Sequence, residues 1–430
     1  MAGRNNPLIV WCGISFDTFN LMHRWFGRLA ILEGLVHFLC WVIPKVHTAG
    51  WSVVKASMGH SNFIITGTIG LAAFVFILFT SQSIIRHAFY ETFLHLHQLA
   101  ALFAVGGVWA HLHIEGLPAK HIIEAVLAIW VIERSIRFLR IIYINIGNGG
   151  SKVDVEILPG DAMRLTLRLA RPWKFRPGQH AYIYMPSISL WMSHPFSLAW
   201  SNNDEADPTS TPNASEKEMG LPLNRQDIMS MNKTTMSLIV RRRTGFTDKL
   251  YKKVSNMPNG TLTTRGLIEG PYGSQDLSSY GTVLLFAAGV GITHQVPHVR
   301  ELVQGYSAGT VATRKVVLVW IIQSPEHLEW IRPWMTTILG LPNRRDVLKI
   351  LLFVTRPRST KEIHSPSSSV QMFPGKPAVQ ALVDAEIEHA IGAMAVTVCG
   401  TGSLADEVRR AARGRMDKKN VDFVEESFSW

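Results

Sequence analysis

The chain has 430 residues, enough for two or three domains, and 47% of them are hydrophobic while only 17% are charged. This composition is typical of a protein with one membrane part and one soluble part. The net charge of +11 lies largely beside apolar segments, and no basic stripe is interleaved with aromatic residues, so we expect no nucleic acid among the partners. The three cysteines, Cys12, Cys40 and Cys399, match neither a disulfide framework nor a zinc pattern.

Four apolar stretches occupy the first third of the chain, at residues 23–43, 62–85, 92–113 and 119–142. Each is close to the roughly 20 residues that a membrane-spanning helix needs. Arg134, Arg137 and Arg140 crowd the end of the fourth stretch, so the positive-inside rule places that end in the cytoplasm. The first and third stretches then cross the membrane in the same direction, and residues 44–61 form an outer loop. We predict an α-helical membrane bundle over residues 1–145.

Two histidine pairs lie in the first and third stretches, His23 with His37 and His97 with His111, and both spacings are fourteen positions. Fourteen residues at about 1.5 Å each span roughly 21 Å and complete almost a whole number of turns. On two parallel helices His23 would therefore face His97 at the inner level, and His37 would face His111 at the outer level. Each facing pair could hold one iron porphyrin at both axial positions. A lone histidine in such a segment is more often simply a buried side chain.

From residue 146 to 275 the pattern changes to short runs of β-formers punctuated by Pro-Gly, which predicts an antiparallel β-barrel. Within it, Ser193 to Ser197 spell Ser-His-Pro-Phe-Ser on a strand. The run from Arg241 to Thr247 ends a strand and begins a helix. Gly245 and Thr247 beside arginines suit a pyrophosphate, because the free N–H groups and the dipole of a helix start favour an anion. The alternative is a solvated charge run. Residues 202–235 are predicted to be a surface insertion.

From residue 276 to 430 strands alternate with helices, which predicts a parallel α/β nucleotide-binding domain. The predicted strands are VLLFAAG, VVLVWII, VLKILLFVTR and AMAVTVCGTG. Ligands of such sheets bind at the carboxyl ends of the strands. Gly289, Gly291 and Thr293 follow one strand, and Cys399 and Gly400 end another. A two-glycine turn alone is weak evidence and fits any tight strand-to-helix connection.

Together these motifs resemble the ferric reductase family, and in particular the fungal ferric/cupric reductases, which are cousins of the NADPH oxidases. The resemblance rests on the histidine spacing, RPGQ, SHPFS, GPYG, GVGIT, CGTGSLADEVR and the ending EESFSW, and it covers nearly the whole chain. It implies a membrane domain with two b-type haems and a cytosolic ferredoxin-reductase-like module that binds FAD and NADPH. The implied cofactor-binding residues are His194, Pro195, Phe196, Ser197, Arg241, Gly245, Thr247, Gly289, Gly291, Thr293, Cys399, Gly400 and Trp430, and the implied metal ligands are His23, His37, His97 and His111.

Two features depart from this family. Its membrane domain has more helices, and two or more normally precede the first histidine-bearing helix; the chain is therefore expected to be a fragment, a short gene product or an incomplete bundle. Gln323 and Ser324 end the strand VVLVWII, and neither is a basic residue that would hold a 2′-phosphate, so NADPH is the family expectation and NADH stays open.

The resulting hypothesis is electron transfer from NADPH through FAD and two haems to an external ferric or cupric chelate, with no side chain acting as acid or base at the metal. The expected location is the plasma membrane, with the vacuole as the alternative, and with the carboxyl-terminal module in the cytosol. Membrane lipid surrounds the helices, and a metal permease or a second copy of the chain is a further expected partner. The alternatives are a superoxide-producing NADPH oxidase and a non-catalytic haem-binding subunit.

Overall fold

The computed structural model describes residues 12, 14, 16–147, 149–189, 192–202, 235–357, 359, 363, 365–416 and 420–425. Over this part of the chain two compact units are found, with the boundary between Arg140 and Ile141. The first unit is helical, and the second contains the antiparallel and parallel sheets. This division into helices followed by sheets confirms the predicted fold class.

The helices of the first unit are α1 (Phe16–His60), α2 (Asn62–Thr80), α3 (Ser83–Ala88), α4 (Tyr90–Ile114) and α5 (Lys120–Asn145), whose last five residues belong to the second unit. Three segments, Thr18–His60, Asn62–Thr80 and Tyr90–Ile114, are long and apolar enough to cross a membrane. Helix α5 forms where the fourth span was predicted, but it carries several charged side chains along its length. That α5 crosses the membrane therefore stays a prediction.

The outer loop predicted at residues 44–61 is wrong, because α1 continues as far as His60. Most residues of this segment are compatible with a helix, and Pro44 is accommodated within it. The hydroxyl of Thr48 donates to the carbonyl of Pro44 one turn earlier. The regular helix is broken only at Gly50, which has φ 78° and ψ 170°. Glycine adopts this conformation without the steric cost that a side chain would add.

Helices α2 and α4 approach each other closely through two glycines. A methyl group at Gly107 would lie 2.8 Å from the backbone nitrogen of Gly70 and 3.0 Å from the carbonyl oxygen of Thr66. Small residues at such a crossing let two membrane helices bring their backbones together. The close contact places the first turns of α2 beside the end of α4, where His111 lies.

The antiparallel module of the second unit contains eight strands: β1 (Lys152–Leu158), β2 (Ala162–Arg168), β3 (His180–Tyr184), β4 (Ser193–Ser197), β5 (Trp200–Asn202), β6 (Thr235–Arg241), β7 (Thr261–Arg265) and β8 (Leu267–Tyr272). They form a sheet in the order β5-β6-β2-β1-β7 and a second sheet in the order β4-β3-β8. Both sheets contribute side chains to one apolar core, which also takes in α6 (Phe246–Ser255). The antiparallel arrangement was predicted, but most of the predicted surface insertion lies outside the described residues.

The parallel module contains β9 (Thr282–Ala288), β10 (Lys315–Ile322), β11 (Leu348–Val354), β12 (Val370–Pro374), β13 (Met394–Cys399) and β14 (Val421–Glu425). Their order is β12-β11-β10-β9-β13-β14, and every pair is parallel. Its helices are α7 (Ile292–Ala308), α8 (Arg332–Leu339), α9 (Arg344–Val347), α10 (Val379–Glu388) and α11 (Gly402–Met416). Alternate residues of β9 enter two different apolar cores, so the sheet is buried on both faces.

The end of α5 is joined to the antiparallel module by Asn145, which is 5% exposed. Its Nδ2 donates to the carbonyl oxygen of Ile268, and its Oδ1 accepts from the amide of Ile268, both at 2.8 Å. Ile268 lies on β8, which is an edge strand of its sheet. The side-chain amide therefore satisfies backbone groups that an edge strand leaves without a partner. Arg171 strengthens the joint by donating to the carbonyl of Ile146 at 3.1 Å.

Aromatic and arginine side chains pack the antiparallel module against the parallel module. The indoles of Trp200 and Trp334 stack with centroids 6.0 Å apart and planes 6° from parallel. The guanidinium of Arg300 lies 4.2 Å from the Trp200 ring and donates to the carbonyl of Ser201 at 3.0 Å. Burial lowers the pKa of Arg300, as expected for a cation that is held by a ring face and a carbonyl without a carboxylate. These contacts hold the antiparallel and parallel modules together.

Candidate functional site

The four histidines chosen from their spacing come together in two pairs. The ring centroids of His23 and His97 are 6.1 Å apart, and those of His37 and His111 are 6.3 Å apart. The second pair lies fourteen residues after the first on both α1 and α4, so the two helices must run in the same direction. At a rise of about 1.5 Å per residue, the two levels are separated by roughly 21 Å along the helices.

These centroid distances fit a metal held between the two rings, and they also lie within the range of edge-to-face ring packing. With a metal–nitrogen bond of about 2.0 Å and a ring nitrogen about 1.1 Å from its centroid, two axial imidazoles have centroids about 6.2 Å apart. The planes cross at 80° in the inner pair and 83° in the outer pair, which axial ligation permits because each ring rotates about its own metal bond. Among the described residues no group of three or more His, Cys, Asp or Glu side chains has the arrangement of a metal site. Two facing imidazoles are the donor set through which a protein would hold the iron of a porphyrin.

A nearby histidine on the same helix has a different environment. The ring of His113 stacks on Trp109 with centroids 4.9 Å apart. The indole nitrogen of Trp109 donates to Glu124 of α5 at 3.2 Å. His113 therefore packs on the side of α4 that contacts α5, whereas His111 is beside α1 and α2.

The Ser-His-Pro-Phe-Ser sequence forms strand β4, as predicted. The ring of His194 stacks on Phe246 with centroids 4.5 Å apart, and Phe196 lies 6.4 Å from the same ring. Pro195 pairs with Tyr182 across the sheet, and Ser197 is buried. Phe246 is the first residue of α6, so β4 and the start of this helix lie side by side. The structure thereby brings together the two sequence segments proposed for the flavin nucleotide.

The start of α6 retains backbone N–H groups that a bound anion can use. Gly245 is the N-cap, with φ 71° and ψ −130°, and no side chain caps the helix at this position. The hydroxyl of Thr247 accepts from the backbone nitrogen of Arg243 at 2.9 Å, which closes the turn. A helix start with open N–H groups and glycine at the cap is suited to a phosphate.

The neighbouring arginines differ in their contacts. Arg241 donates to Gln323 of the parallel module at 3.2 Å, so it connects the two modules. Arg242 donates to Asp248 at 2.8 Å. Hydrogen bonds from Lys252 and Arg242 lower the pKa of Asp248. Two of the three consecutive arginines thus also support the local fold, and pyrophosphate binding by this segment stays a prediction.

The glycine turn after β9 and the end of β13 are pressed against each other. A methyl group at Gly291 would lie 2.0 Å from the carbonyl oxygen of Cys399. A methyl group at Gly400 would lie 2.8 Å from the Cβ of Ala288. Gly289 has a positive φ of 54°, and Thr293 donates to the carbonyl of Val290 at 2.8 Å. The predicted nucleotide residues therefore meet at the carboxyl ends of two adjacent strands, where nucleotides bind in this kind of sheet.

Several residues in this region were missed by the sequence reasoning. His294 and His298 on α7 are almost fully buried, with ring centroids 5.2 Å apart. Gln295 between them donates to the carbonyl of Phe286 and accepts from the hydroxyl of Thr397, which connects α7 to β9 and β13. The sequence signal for these buried polar residues was the run Thr-His-Gln at the start of α7, directly after the buried strand β9. Trp430, the residue proposed to cover the flavin, lies outside the described residues.

Comparison with known proteins assigns a family to each part of the chain. Residues 1–108 match the ferric reductase like transmembrane component, residues 147–207 match an FAD-binding domain, and residues 280–413 match the ferric reductase NAD binding domain. Ferric/cupric reductase transmembrane component 2 of Saccharomyces cerevisiae is 25% identical over 465 residues, covering 100% of this chain and 59% of its own length.

Two further relatives have similar names. Ferric/cupric reductase transmembrane component 1 of Candida albicans is 25% identical over 464 residues, covering 100% of this chain and 55% of its own length. The probable cell surface ferric reductase kap2 of Aspergillus oryzae is 29% identical over 344 residues, covering 77% of this chain and 42% of its own length. The chain thus spans less than two thirds of the length of these relatives. The chain matches models of a transmembrane, an FAD-binding and an NAD-binding domain in that order, and it is similar over its full length to fungal ferric/cupric reductases.

Proposed function

We propose that this protein transfers electrons from NADPH, through FAD and two b-type haems, to a ferric or cupric chelate on the other side of a membrane. The observation that carries the proposal is the pair of facing imidazoles at each of two levels of the same two helices. A single close pair would also fit ordinary packing, but two pairs at metal-ligating distance fit a two-step conductor. The names of the relatives, ferric and ferric/cupric reductase, support the choice of acceptor.

The residues of the chain have distinct tasks in this function. His23 and His97 would hold one haem and His37 and His111 the other, which fixes the spacing of the two groups. The start of α6 and strand β4 would bind the flavin nucleotide, and the turns at Gly291 and Gly400 would bind the nicotinamide nucleotide. When bound, the flavin accepts a hydride and the haems carry single electrons. Binding, orientation and spacing are then the contribution of the protein.

The location follows from the same proposal. The arginines at the end of α5 support a cytosolic location for the carboxyl-terminal modules, where NADPH is available. The plasma membrane is supported by the name of the cell surface relative. Reduction of ferric or cupric ions outside the cell would support iron or copper uptake. A metal permease or a second copy of the chain would then be an interaction partner in the membrane.

The test uses His111→Ala with His113→Ala as a matched control two residues away on the same helix. Loss of an outer ligand is expected to abolish reduction of an external ferric chelate. Oxidation of NADPH by an artificial acceptor that takes electrons from the flavin should continue, because the flavin modules are unchanged. His113→Ala should retain both activities, since His113 packs on Trp109 away from the proposed haem.

Three other results would contradict the proposal. External reduction that survives His111→Ala would remove the outer haem from the path. Reduction of a tetrazolium dye that superoxide dismutase abolishes, without reduction of ferric chelate, would identify a superoxide-producing oxidase instead. Purified protein that holds haem but no flavin would identify a non-catalytic haem-binding subunit.

A further inference from the structure

The outer histidine pair has a contact that the inner pair lacks in the described residues. The Nδ1 atom of His111 lies 2.7 Å from the carbonyl oxygen of Phe63, 48 residues earlier in the chain. A carbonyl oxygen can only accept a hydrogen bond, so Nδ1 must carry the proton. The neutral ring then has its lone pair on Nε2, which is the form that ligates iron.

The same segment of α2 also holds the face of the His111 ring. The ring of Phe63 stacks on it, with centroids 3.8 Å apart and planes 15° from parallel. A methyl group at Gly67, one turn later, would lie 2.8 Å from Nδ1 and 3.0 Å from Cε1 of His111. Glycine at this position is therefore what lets the imidazole reach the Phe63 carbonyl. We call Phe63 and Gly67 the His111 cradle.

Within the described residues, His97 of the inner pair shows no equivalent of this cradle. The Nδ1 atom of His97 is buried and has no hydrogen-bond partner within the described part of the chain. Its nearest ring contact, with Phe93, has centroids 5.4 Å apart and planes tilted by 43°. One ligand of the outer pair is thus oriented by a hydrogen bond and a stacked ring, whereas its inner counterpart His97 is oriented by looser packing.

We propose that the His111 cradle is a positioning element that makes the outer haem electronically different from the inner haem. The proposal rests on the proposed function, because it concerns a ligand of the outer haem. A hydrogen bond from Nδ1 makes an imidazole a more basic ligand, and a more basic ligand stabilises ferric over ferrous iron. The cradle therefore lowers the reduction potential of the outer haem and strengthens its retention. Phe63 and Gly67 act through His111 and touch no substrate.

The test compares Gly67→Ala with Gly106→Ala in the full chain, purified with its haems. Gly106 lies on α4 as His111 does, and a methyl group there would have no atom within 4 Å. Gly67→Ala should push the imidazole away from the carbonyl, raise one of the two haem potentials and leave the other unchanged. Haem retention at that site should fall about 10-fold or more, the usual effect of removing the hydrogen-bond partner of a metal ligand. Gly106→Ala should leave both potentials unchanged.

Potentials that are unchanged in Gly67→Ala, or that both move, would overturn the proposal. A wild-type protein that holds no haem would instead refute the proposed function, so the two failures are distinguishable. If Gly67→Ala does not accumulate, the haem-free wild-type chain labelled with ¹⁵N-histidine provides the readout. Imidazoles protonated on Nδ1 should include His111 and also His389, whose Nδ1 lies 2.9 Å from the carbonyl oxygen of Ala385. One of these signals should disappear in His111→Ala, and a spectrum in which His111→Ala removes no such signal would overturn the proposal as well.

Discussion

The joint between α5 and the antiparallel module makes a quantitative prediction for Asn145→Ala. The substitution removes the amide that pairs with both backbone groups of Ile268 at 2.8 Å. Ile268 itself is 0% exposed, so water cannot easily replace the lost partner. Leaving a buried donor or acceptor unsatisfied costs about 1–3 kcal/mol. Since Asn145→Ala leaves two such groups of Ile268 without a partner, it should lower the free energy needed to separate α5 from β8 by about 2–6 kcal/mol.

Hydrogen exchange of the backbone amides measures this change in free energy at the Ile268 amide itself. Each 1.4 kcal/mol corresponds to about a tenfold change in an equilibrium constant, so protection of the Ile268 amide should fall at least tenfold. The experiment uses the full chain in detergent. Asn256→Ala is the matched control, because Asn256 is an exposed residue of the same unit at the end of α6. Exchange at Ile268 that is equally slow in Asn145→Ala and in the wild type would show that the amide pairing contributes nothing to the joint.

Two further predictions concern the second unit. Gly291→Ala places a methyl group 2.0 Å from the Cys399 carbonyl oxygen, so the glycine turn must move, and titration calorimetry should show loss of NADPH binding. Gly309→Asn is the control and should retain binding, because asparagine tolerates the positive φ of Gly309 and a methyl group there would have no atom within 4 Å. Equal binding by Gly291→Ala and the wild type would contradict this prediction. Burial, and to a lesser degree the charge of Arg241, lower the pKa of His327 in the folded protein below its ordinary value of 6.5. The neutral ring of His327 therefore contributes its full stabilisation above pH 6.5. This stabilisation decreases as the pH falls from 6.5 towards the folded-state pKa, because the unfolded chain binds the proton more readily. Thermal unfolding followed from pH 7.5 to 5 should therefore show a loss of stability that is smaller in His327→Phe, and an identical pH dependence in the two proteins would count against this assignment.

The histidine pairs were predictable because they depend on one arithmetic property of the α-helix. Fourteen residues return a side chain to nearly the same face, so parallel helices with equal spacings must pair at both levels. The strands VLLFAAG and VVLVWII were equally clear, since continuous apolar runs bounded by glycine or charge are typical of a buried parallel sheet. Both features depend on residues that are close together in the sequence, so the sequence pattern alone was enough to predict them.

The contacts that were missed join residues far apart in the chain. The bond between Phe63 and His111 depends on how closely Gly70 and Gly107 let two helices approach. Asn145 gives no sign in the sequence that its amide will pair with a strand more than 120 residues later. The helical structure of residues 44–60 was missed for a different reason. Pro44 and Gly50 are ordinary markers of a loop, but here Pro44 lies within a helix and Gly50 lies at the kink between two helical segments.

The most direct test of the account is a haem count combined with electron paramagnetic resonance of the purified chain. The account predicts about two low-spin ferric haems per chain, each held by two imidazoles. His23→Ala should remove one of the two signals and His37→Ala the other, with the flavin content unchanged. A single haem that survives both substitutions, or protein that contains flavin but no haem at all, would contradict the central claim that facing histidines on α1 and α4 hold the electron carriers.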